Sequence, residues 1–128
     1  MNGKYLLDTN IIIDYLQGLE TQVRFVDSLQ YAARLVSLIT RMELLSYPGL
    51  TGEAEQKIEQ FLSDVVVVDL NPQVERETIV LKRVNRLKLP DAIVVATASV
   101  EKAFLVTRDR QLLELKWPGL RHINPVDH

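Results

Sequence analysis

Four acidic residues stand where their carboxylates could act together. Asp8 and Asp109 each follow a short apolar run, in the segments LLDTN and LVTRD. Glu43 and Asp91 lie close to the starts of apolar segments, in TRMELL and LPDAIVVATA. Four carboxylates packed together repel one another strongly unless cations neutralise them. We therefore expect a cation site if the fold brings these residues together.

Such a site would offer oxygen ligands only. The chain has no cysteine, and its histidines occur only near the C-terminus, at His122 and His128. Oxygen ligands in this number suit Mg²⁺, with Mn²⁺ as a possible substitute, rather than Zn²⁺. The chemistry that they support is phosphoryl transfer, in which a cation activates water and stabilises the leaving oxygen.

Each acid also has a purely structural interpretation. Asp8 and Asp109 could cap the helices that follow their strands, although Asn10 is a second possible cap beside Asp8. Asp91 could be a first-turn carboxylate favoured by the helix dipole. Glu43 could complete a capping box with Thr40, since TRME fits the S/T-x-x-E pattern. The sequence leaves these alternatives open, and the four acids taken jointly favour a shared site.

The elements that would position the acids follow from the apolar pattern. Strands are predicted at residues 4–7, 35–38, 65–70, 104–107 and 121–123. Helices are predicted at residues 11–16, 20–31, 52–62, 71–86, 91–103 and 109–115, with a further short helix after Thr40 that the Pro48-Gly49 pair closes. Strands that alternate with helices predict an α/β fold, an open parallel sheet with helices on both faces.

Two segments suggest where the core lies. The run Val65-Val66-Val67-Val68 has no alternation, which is typical of a strand buried on both faces. The helix at residues 91–103 is apolar nearly all round, so we expect it to be central. Open parallel sheets bind ligands beyond the carboxyl ends of their strands, and the four acids can converge at that edge.

Composition excludes several classes of protein. With 128 residues, 47% of them hydrophobic, the chain fits a single domain over residues 1–128. The lack of cysteine excludes disulfide scaffolds and thiolate chemistry. No apolar run reaches the roughly 18 residues of a membrane-spanning helix, and the N-terminus has no export signal. We therefore expect a cytoplasmic protein with no membrane partner.

The net charge of −2 does not exclude a nucleic-acid partner. If four carboxylates hold cations, 15 positive and 13 negative side chains remain, a balance of +2. Basic residues also stand close to two of the acids: Lys82, Arg83, Arg86 and Lys88 precede Asp91, and Arg108 and Arg110 flank Asp109. These residues are either a solvated helix face or contacts to a phosphate backbone.

At these positions the sequence resembles the PIN-domain nucleases, and among them the VapC-type toxins of prokaryotic toxin–antitoxin pairs. The similar segments are YLLDTNIIIDYL, VSLITRMELL, LKLPDAIVVATA and FLVTRDRQLLEL, followed by PGLRHINP. They extend over nearly the whole chain in the family's order. The resemblance implies a five-stranded parallel sheet, an acidic Mg²⁺ site, endonucleolytic cleavage of RNA and dimerisation.

The resemblance also implies a role for each site residue. Asp8, Glu43, Asp91 and Asp109 would be the catalytic and metal-binding acids, with the fourth position, where the family often has Asn, the least secure as a direct ligand. Asn10 and Thr107 resemble the polar residues that orient water or the first acid. Nothing in these segments indicates an inactive enzyme.

We therefore expect a Mg²⁺-dependent endoribonuclease, the toxin half of a toxin–antitoxin pair, which acts on RNA and binds an antitoxin. We also expect a homodimer, because the helices at residues 20–31 and 52–62 offer more apolar positions than one side of so small a sheet needs. Two alternatives remain. A catalytically silent RNA-binding module would keep the fold but lose acids. A receiver-type phosphoacceptor domain would need a lysine near Thr107, where the sequence has Arg108.

Overall fold

The computed structural model describes residues 3–127, so His128 and the first two residues lie outside it. Within that range the strands are β1 (Tyr5–Leu7), β2 (Arg34–Ser37), β3 (Val66–Val68), β4 (Phe104–Val106) and β5 (Arg121–Ile123). The α-helices are α1 (Thr9–Leu16), α2 (Glu20–Asp27), α3 (Leu38–Leu45), α4 (Gly52–Ser63), α5 (Pro72–Val84), α6 (Leu89–Glu101) and α7 (Arg110–Leu113). Short 3₁₀ helices span Tyr31–Ala33 and Pro125–Asp127.

The five strands form one parallel sheet in the order β3-β2-β1-β4-β5. In the central strand, Leu6 pairs with Leu35 of β2 on one side and Leu105 of β4 on the other. The chain adds strands outward from β1, then crosses back to start β4 beside β1. This reversal is a topological switch point, where open parallel sheets form a crevice at the carboxyl ends of the strands.

Two hydrophobic clusters cover the two faces of the sheet, as the expected α/β architecture requires. On one face Leu6, Leu35 and Leu105 pack with residues of α5 and α6. On the other face Leu7 and Val36 pack with residues of α1, α2 and α4. Successive strand residues point to opposite faces, so each of the three inner strands contributes to both clusters. The expected five-stranded parallel sheet with helices on both faces is therefore confirmed.

The central position of α6 is also confirmed. All residues of this helix from Ala92 to Ala98 are buried. This helix packs against both α5 and the sheet. Its first turn, which contains Asp91, is held in place by the largest hydrophobic cluster of the described chain.

The expectation that residues 65–68 form a strand buried on both faces was wrong. β3 lies at an edge of the sheet, and Val66 is 48% exposed. An unalternating valine run fits a pleated strand equally well at an edge, because strand propensity does not report the number of neighbouring strands.

The premise behind the predicted dimer surface was also wrong. The large apolar residues of α2 and α4 are not surplus, because Phe25, Val26, Ile58, Phe61 and Leu62 are buried in this chain's own core. The predicted helix at 20–31 ends at Asp27, and a 3₁₀ helix follows. Three large apolar residues on α5, Ile79, Val80 and Val84, are exposed to solvent.

None of the helices between residues 3 and 127 has the length and apolar character needed to cross a lipid bilayer.

Candidate active site at the carboxyl edge of the sheet

Asp8 follows β1 directly and is the most buried of the four acids, with 6% of its surface exposed. Its backbone N–H donates to the carbonyl of Val106, which extends the β1–β4 pairing to this residue. Its carboxylate is the N-cap of α1 and accepts from the backbone N–H of Thr9 at 2.8 Å. It also accepts from the Thr107 hydroxyl at 2.8 Å and the Asn10 amide at 3.2 Å.

Capping by Asp8 is therefore real, and the suggestion that Asn10 could replace it as the cap was wrong. Asn10 lies inside α1 and uses its side chain to join α1 to the turn after β4. Its amide nitrogen donates to Asp8 and lies 3.3 Å from the Thr107 hydroxyl, and its carbonyl oxygen accepts from the backbone N–H of Arg108. A capping carboxylate keeps unused lone pairs, so capping and ligand binding are compatible.

Asp109 begins α7 in the same way. Its carboxylate accepts from the backbone N–H of Leu112, and its own N–H donates to the Thr107 hydroxyl at 3.0 Å. Thr107 thus accepts from Asp109 and donates to Asp8, so one buried hydroxyl connects two of the four acids. The switch point between β1 and β4 brings Asp8, Asn10, Thr107 and Asp109 together.

Glu43 comes from α3, on the β2 side of the crevice. The capping-box interpretation of Glu43 was wrong, because α3 begins at Leu38, two residues before Thr40, and is capped by the Ser37 side chain. Glu43 lies one turn further along the helix and is exposed. The Thr9 hydroxyl donates to its carboxylate at 2.8 Å, and the buried Thr40 hydroxyl lies 3.1 Å from that of Thr9.

Asp91 lies in the first turn of α6, which begins at Leu89 rather than at Asp91 itself. Burial, followed by the charges of Asp109 and Glu43, raises the pKa of Asp91, while Lys88 lowers it. Asp91 therefore lies close enough to Asp109 and to Glu43 for both charges to act on its carboxylate.

Burial is also the main reason that the pKa of Asp8 is raised. Its hydrogen bonds from Thr107 and Thr9 lower the pKa, and the charges of Asp91 and Asp109 raise it. The electrostatic couplings therefore connect all four predicted acids, which come from four separate elements of the fold. Perturbed carboxylates clustered in a cleft are typical of functional sites.

Among the described residues, no three acidic or histidine side chains form a ready-made group able to hold a metal ion. Mg²⁺ does not need such a group, because it usually keeps several waters and binds through one or two protein carboxylates. The donors here are all oxygen atoms. Burial first, and the neighbouring carboxylate charges after it, raise the pKa of Asp8 and of Asp91, and a bound divalent cation would oppose both effects. The residues present therefore fit a hydrated divalent cation.

The segment that carries all four acids matches a known protein family. The sequence profile of the PIN domain matches residues 5–118, which is most of the chain. The chain belongs to the PIN-domain family. Nuclease activity is the general role of PIN domains, and these nucleases typically depend on divalent cations.

Solved structures resemble this PIN domain over nearly its whole length. A toxin–antitoxin complex from Klebsiella pneumoniae contains a chain that is 29% identical, with a TM-score of 0.81 and coverage of 95% of this chain and 98% of that one. A DNA-bound VapBC complex from Salmonella typhimurium gives 25% identity, a TM-score of 0.79 and coverage of 97% and 99%. VapBC2 from Rickettsia felis, bound to a promoter DNA fragment, shares the fold at 20% identity, with a TM-score of 0.79 and coverage of 94% and 97%. No curated protein sequence matches the chain.

The basic residues of this PIN domain fall into two groups. Arg83, Arg86, Lys88 and Arg110 are exposed. The other two are engaged within the protein: Lys82 donates to the carbonyl of Leu87 at 2.8 Å, and Arg108 forms an ion pair with Asp14. The structure therefore brings the backbone of Arg108 close to the acids, while its guanidinium binds the Asp14 carboxylate on α1.

Three residues of the site were not identified from the sequence. Thr9 and Thr40 hold Glu43 through hydroxyl groups more than thirty residues apart in sequence, a contact that local patterns cannot show. Asp14 did leave a signal, because it lies three residues after the buried Ile11, on the apolar face of α1. An acid at a core position of a helix requires a partner.

A groove of about 540 Å³ adjoins the acids on the α3 side. It is bounded by α1, α3 and α4 and includes Thr9 and Glu43 in its wall. Its other walls are mainly apolar, with Ile13, Leu44 and Ile58 among them. The acidic cleft is thus continuous with an apolar surface.

Proposed function

We propose that this PIN domain is a Mg²⁺-dependent endoribonuclease and the toxin half of a toxin–antitoxin pair. The observation that carries the proposal is the electrostatic coupling of Asp8, Glu43, Asp91 and Asp109 at the carboxyl edge of the sheet. Asp8 and Asp109 also cap helices, but capping does not require acids from four elements to lie close together, and their repulsion raises the free energy of the folded chain unless a cation binds.

In this proposal Asp8 and Asp91 hold the cation, and Glu43 and Asp109 complete the site. A bound Mg²⁺, or Mn²⁺ in its place, would supply the positive charge that activates water and balances the charge developing on the phosphate oxygens. Glu43 is exposed and fixed by Thr9, so its carboxylate can orient the attacking water as a hydrogen-bond acceptor.

The hydrogen bonds around Asp8 have a separate role. Thr107, Asn10 and the N–H of Thr9 fix the orientation of a carboxylate that burial would otherwise tend to protonate. Each of these donors favours the charged form, which is the form that binds a cation.

RNA is the proposed substrate, and the exposed basic residues Arg83, Arg86, Lys88 and Arg110 are its proposed contacts. They lie on the segments that lead into Asp91 and out of Asp109. Phosphate contacts there would direct the backbone towards the acids without selecting a base sequence.

An antitoxin protein is the proposed partner. The similar structures from Klebsiella pneumoniae, a toxin–antitoxin complex, and from Salmonella typhimurium, a DNA-bound VapBC complex, support this proposal. An antitoxin segment bound in the apolar groove beside Glu43 would lie next to the acids and could cover them. Growth arrest on induction of the wild-type chain, relieved by Asp8→Asn, is the result expected in cells.

The proposal is tested by incubating the purified protein separately with a structured RNA, with a single-stranded DNA and with the phosphodonor acetyl phosphate. We expect cleavage of RNA in Mg²⁺ and none in EDTA. Binding of RNA without cleavage would instead support the silent RNA-binding module. Transfer of phosphate to the protein would support the phosphoacceptor domain.

A further inference from the structure

Asp14 is a buried acid that the proposed reaction does not use. Only 2% of its surface is exposed, although it lies on α1 two turns from the acidic cleft. Arg108 donates to its two carboxylate oxygens from Nε at 2.7 Å and from Nη2 at 3.2 Å, and Gln22 of α2 donates at 3.0 Å. Two-pronged contacts of this type fix both the distance and the orientation of the two groups.

The backbone around Asp14 is fixed as well. Its carbonyl accepts from the N–H of Leu19, and the carbonyl of Tyr15 accepts from the N–H of Gly18. Gly18 has a φ of 80°, which ends α1 in the left-handed conformation that glycine adopts without strain. Asp14 is therefore a rigid anchor for any group that binds it.

Arg108 lies between two residues that contact the acidic cleft. Thr107 donates to Asp8, the backbone N–H of Arg108 donates to Asn10, and the N–H of Asp109 donates to Thr107. The turn after β4 is thus joined to the start of α1 by short polar contacts at Asp8 and Asn10. The guanidinium of Arg108 adds a third and longer contact, one helical turn further along α1.

We propose that Asp14 is a positioning residue which, through its ion pair with Arg108, sets the separation between Asp8 and Asp109. This inference rests on the proposed nuclease function, because it assigns the ion pair to the same acidic site. It also replaces the interpretation of Arg108 as an RNA contact, since a guanidinium held by a buried carboxylate is not free to move onto a phosphate.

The two interpretations of Arg108 predict different kinetics. If Arg108 positions the site, Asp14→Asn and Arg108→Lys both lower kcat about tenfold or more and leave the KM for RNA unchanged, as outer-shell partners of metal sites do. If Arg108 binds phosphate, Arg108→Lys changes little and Arg108→Gln raises KM and reduces the salt slope by about 1. Asp14→Asn would then release the guanidinium and leave RNA binding intact or tighter.

A readout without RNA tests the positioning directly. We expect Mn²⁺, measured by titration calorimetry, to bind Asp14→Asn and Arg108→Lys about tenfold more weakly than it binds the wild type. Glu59→Gln is the matched control, because it breaks another two-pronged pair, with Arg41, that does not involve the turn after β4. The control should bind Mn²⁺ like the wild type.

The Asp14→Asn variant removes a buried charge and could be destabilised by it. The side chain of Arg108 is 49% exposed, so Arg108→Lys is expected to fold in either case. The double variant should be no worse than the worse single variant, since the two side chains act as one unit. Wild-type Mn²⁺ affinity in Arg108→Lys would overturn the inference. If the wild-type protein binds Mn²⁺ but leaves RNA intact, the proposed nuclease function is wrong. The comparison of Mn²⁺ affinities between the variants would still test the role of the ion pair.

Discussion

Replacement of Asp91 by Asn is expected to stabilise the metal-free protein while it impairs the proposed enzyme. Burial raises the pKa of Asp91 most, followed by the charges of Asp109 and Glu43. The ionised carboxylate therefore has a higher free energy in the folded chain than in the unfolded one. Asn has nearly the same shape and removes that charge.

The charge interactions of Asp91 set the magnitude, through repulsion, solvent screening and the helix dipole. Two unit charges about 6 Å apart cost roughly 3 kcal/mol at an effective dielectric constant of 20 and under 1 kcal/mol in water. Asp91 is partly exposed, so solvent screening reduces the repulsion to about 1–1.5 kcal/mol in total. The helix dipole at the start of α6 stabilises the charged form of Asp91 by about 0.5 kcal/mol. We expect a net gain of about 0.5–1 kcal/mol for Asp91→Asn, or a rise in Tm of roughly 3 °C.

The pH dependence has a definite sign. Between the unfolded pKa of about 4 and the raised folded pKa of Asp91, the folded chain binds more protons than the unfolded chain. Its contribution to the free energy of unfolding therefore falls as pH rises through this range. The advantage of Asp91→Asn in EDTA should be absent below about pH 4 and should grow as pH rises towards and through the raised folded pKa of Asp91.

The assay is thermal melting of wild type and Asp91→Asn in EDTA and in Mg²⁺, with Glu75→Gln as the control. Glu75 is also an acid in the first turn of a helix, α5, so its replacement measures the loss of the helix-dipole interaction alone. We expect Asp91→Asn to melt above wild type in EDTA and to gain less from Mg²⁺. If Asp91→Asn melts below wild type and matches Glu75→Gln, Asp91 is a structural first-turn residue and the repulsion argument fails.

Three further outcomes are expected. Asp109→Asn should reduce RNA cleavage less than Asp8→Asn does, because Asn still caps α7 and the fourth position is the least secure metal ligand; an equal loss in a single-turnover assay would show that this ranking is wrong. Thr9→Val should lower the cleavage rate about tenfold at unchanged stability by releasing Glu43, and a wild-type rate would contradict that role for the hydroxyl. The chain should form a homodimer through exposed apolar residues of α5 such as Val84, so light scattering should report twice the mass of the chain at high micromolar concentration, and a monomer there would exclude it.

The fold was largely predictable because its signals are local. Strand-length apolar runs, the Asn71-Pro72 helix start and the largely apolar helix after Pro90 each specify one element through nearest-neighbour chemistry. What these signals could not show is the order of strands in the sheet. Val66 belongs to a run as apolar as a central strand, yet it lies at an edge, since lateral position depends on where the crossovers lead.

The candidate site was predictable as a set of acids but not as a network. Asp8 and Asp109 could be paired in advance because both follow strands of a parallel sheet. The contacts between Thr9 and Glu43 and between Asp14 and Arg108 join residues 34 and 94 positions apart, and only the packed structure shows them. The burial of the apolar faces of α2 and α4 was missed for the same reason, because an amphipathic helix does not specify which surface covers it.

The most direct test of the proposed function is the single-turnover rate of RNA cleavage by the wild type and by Asp8→Asn in saturating Mg²⁺. Asn is as good an N-cap as Asp, so this variant keeps the start of α1 and removes only the charge of the most buried of the four site acids. Asp69→Asn, which changes an exposed acid after β3 at the same edge of the sheet, is the control. The account predicts that Asp8→Asn cleaves at least ~100-fold more slowly while Asp69→Asn cleaves at the wild-type rate. Full activity in a folded Asp8→Asn protein would contradict the assignment of the active site.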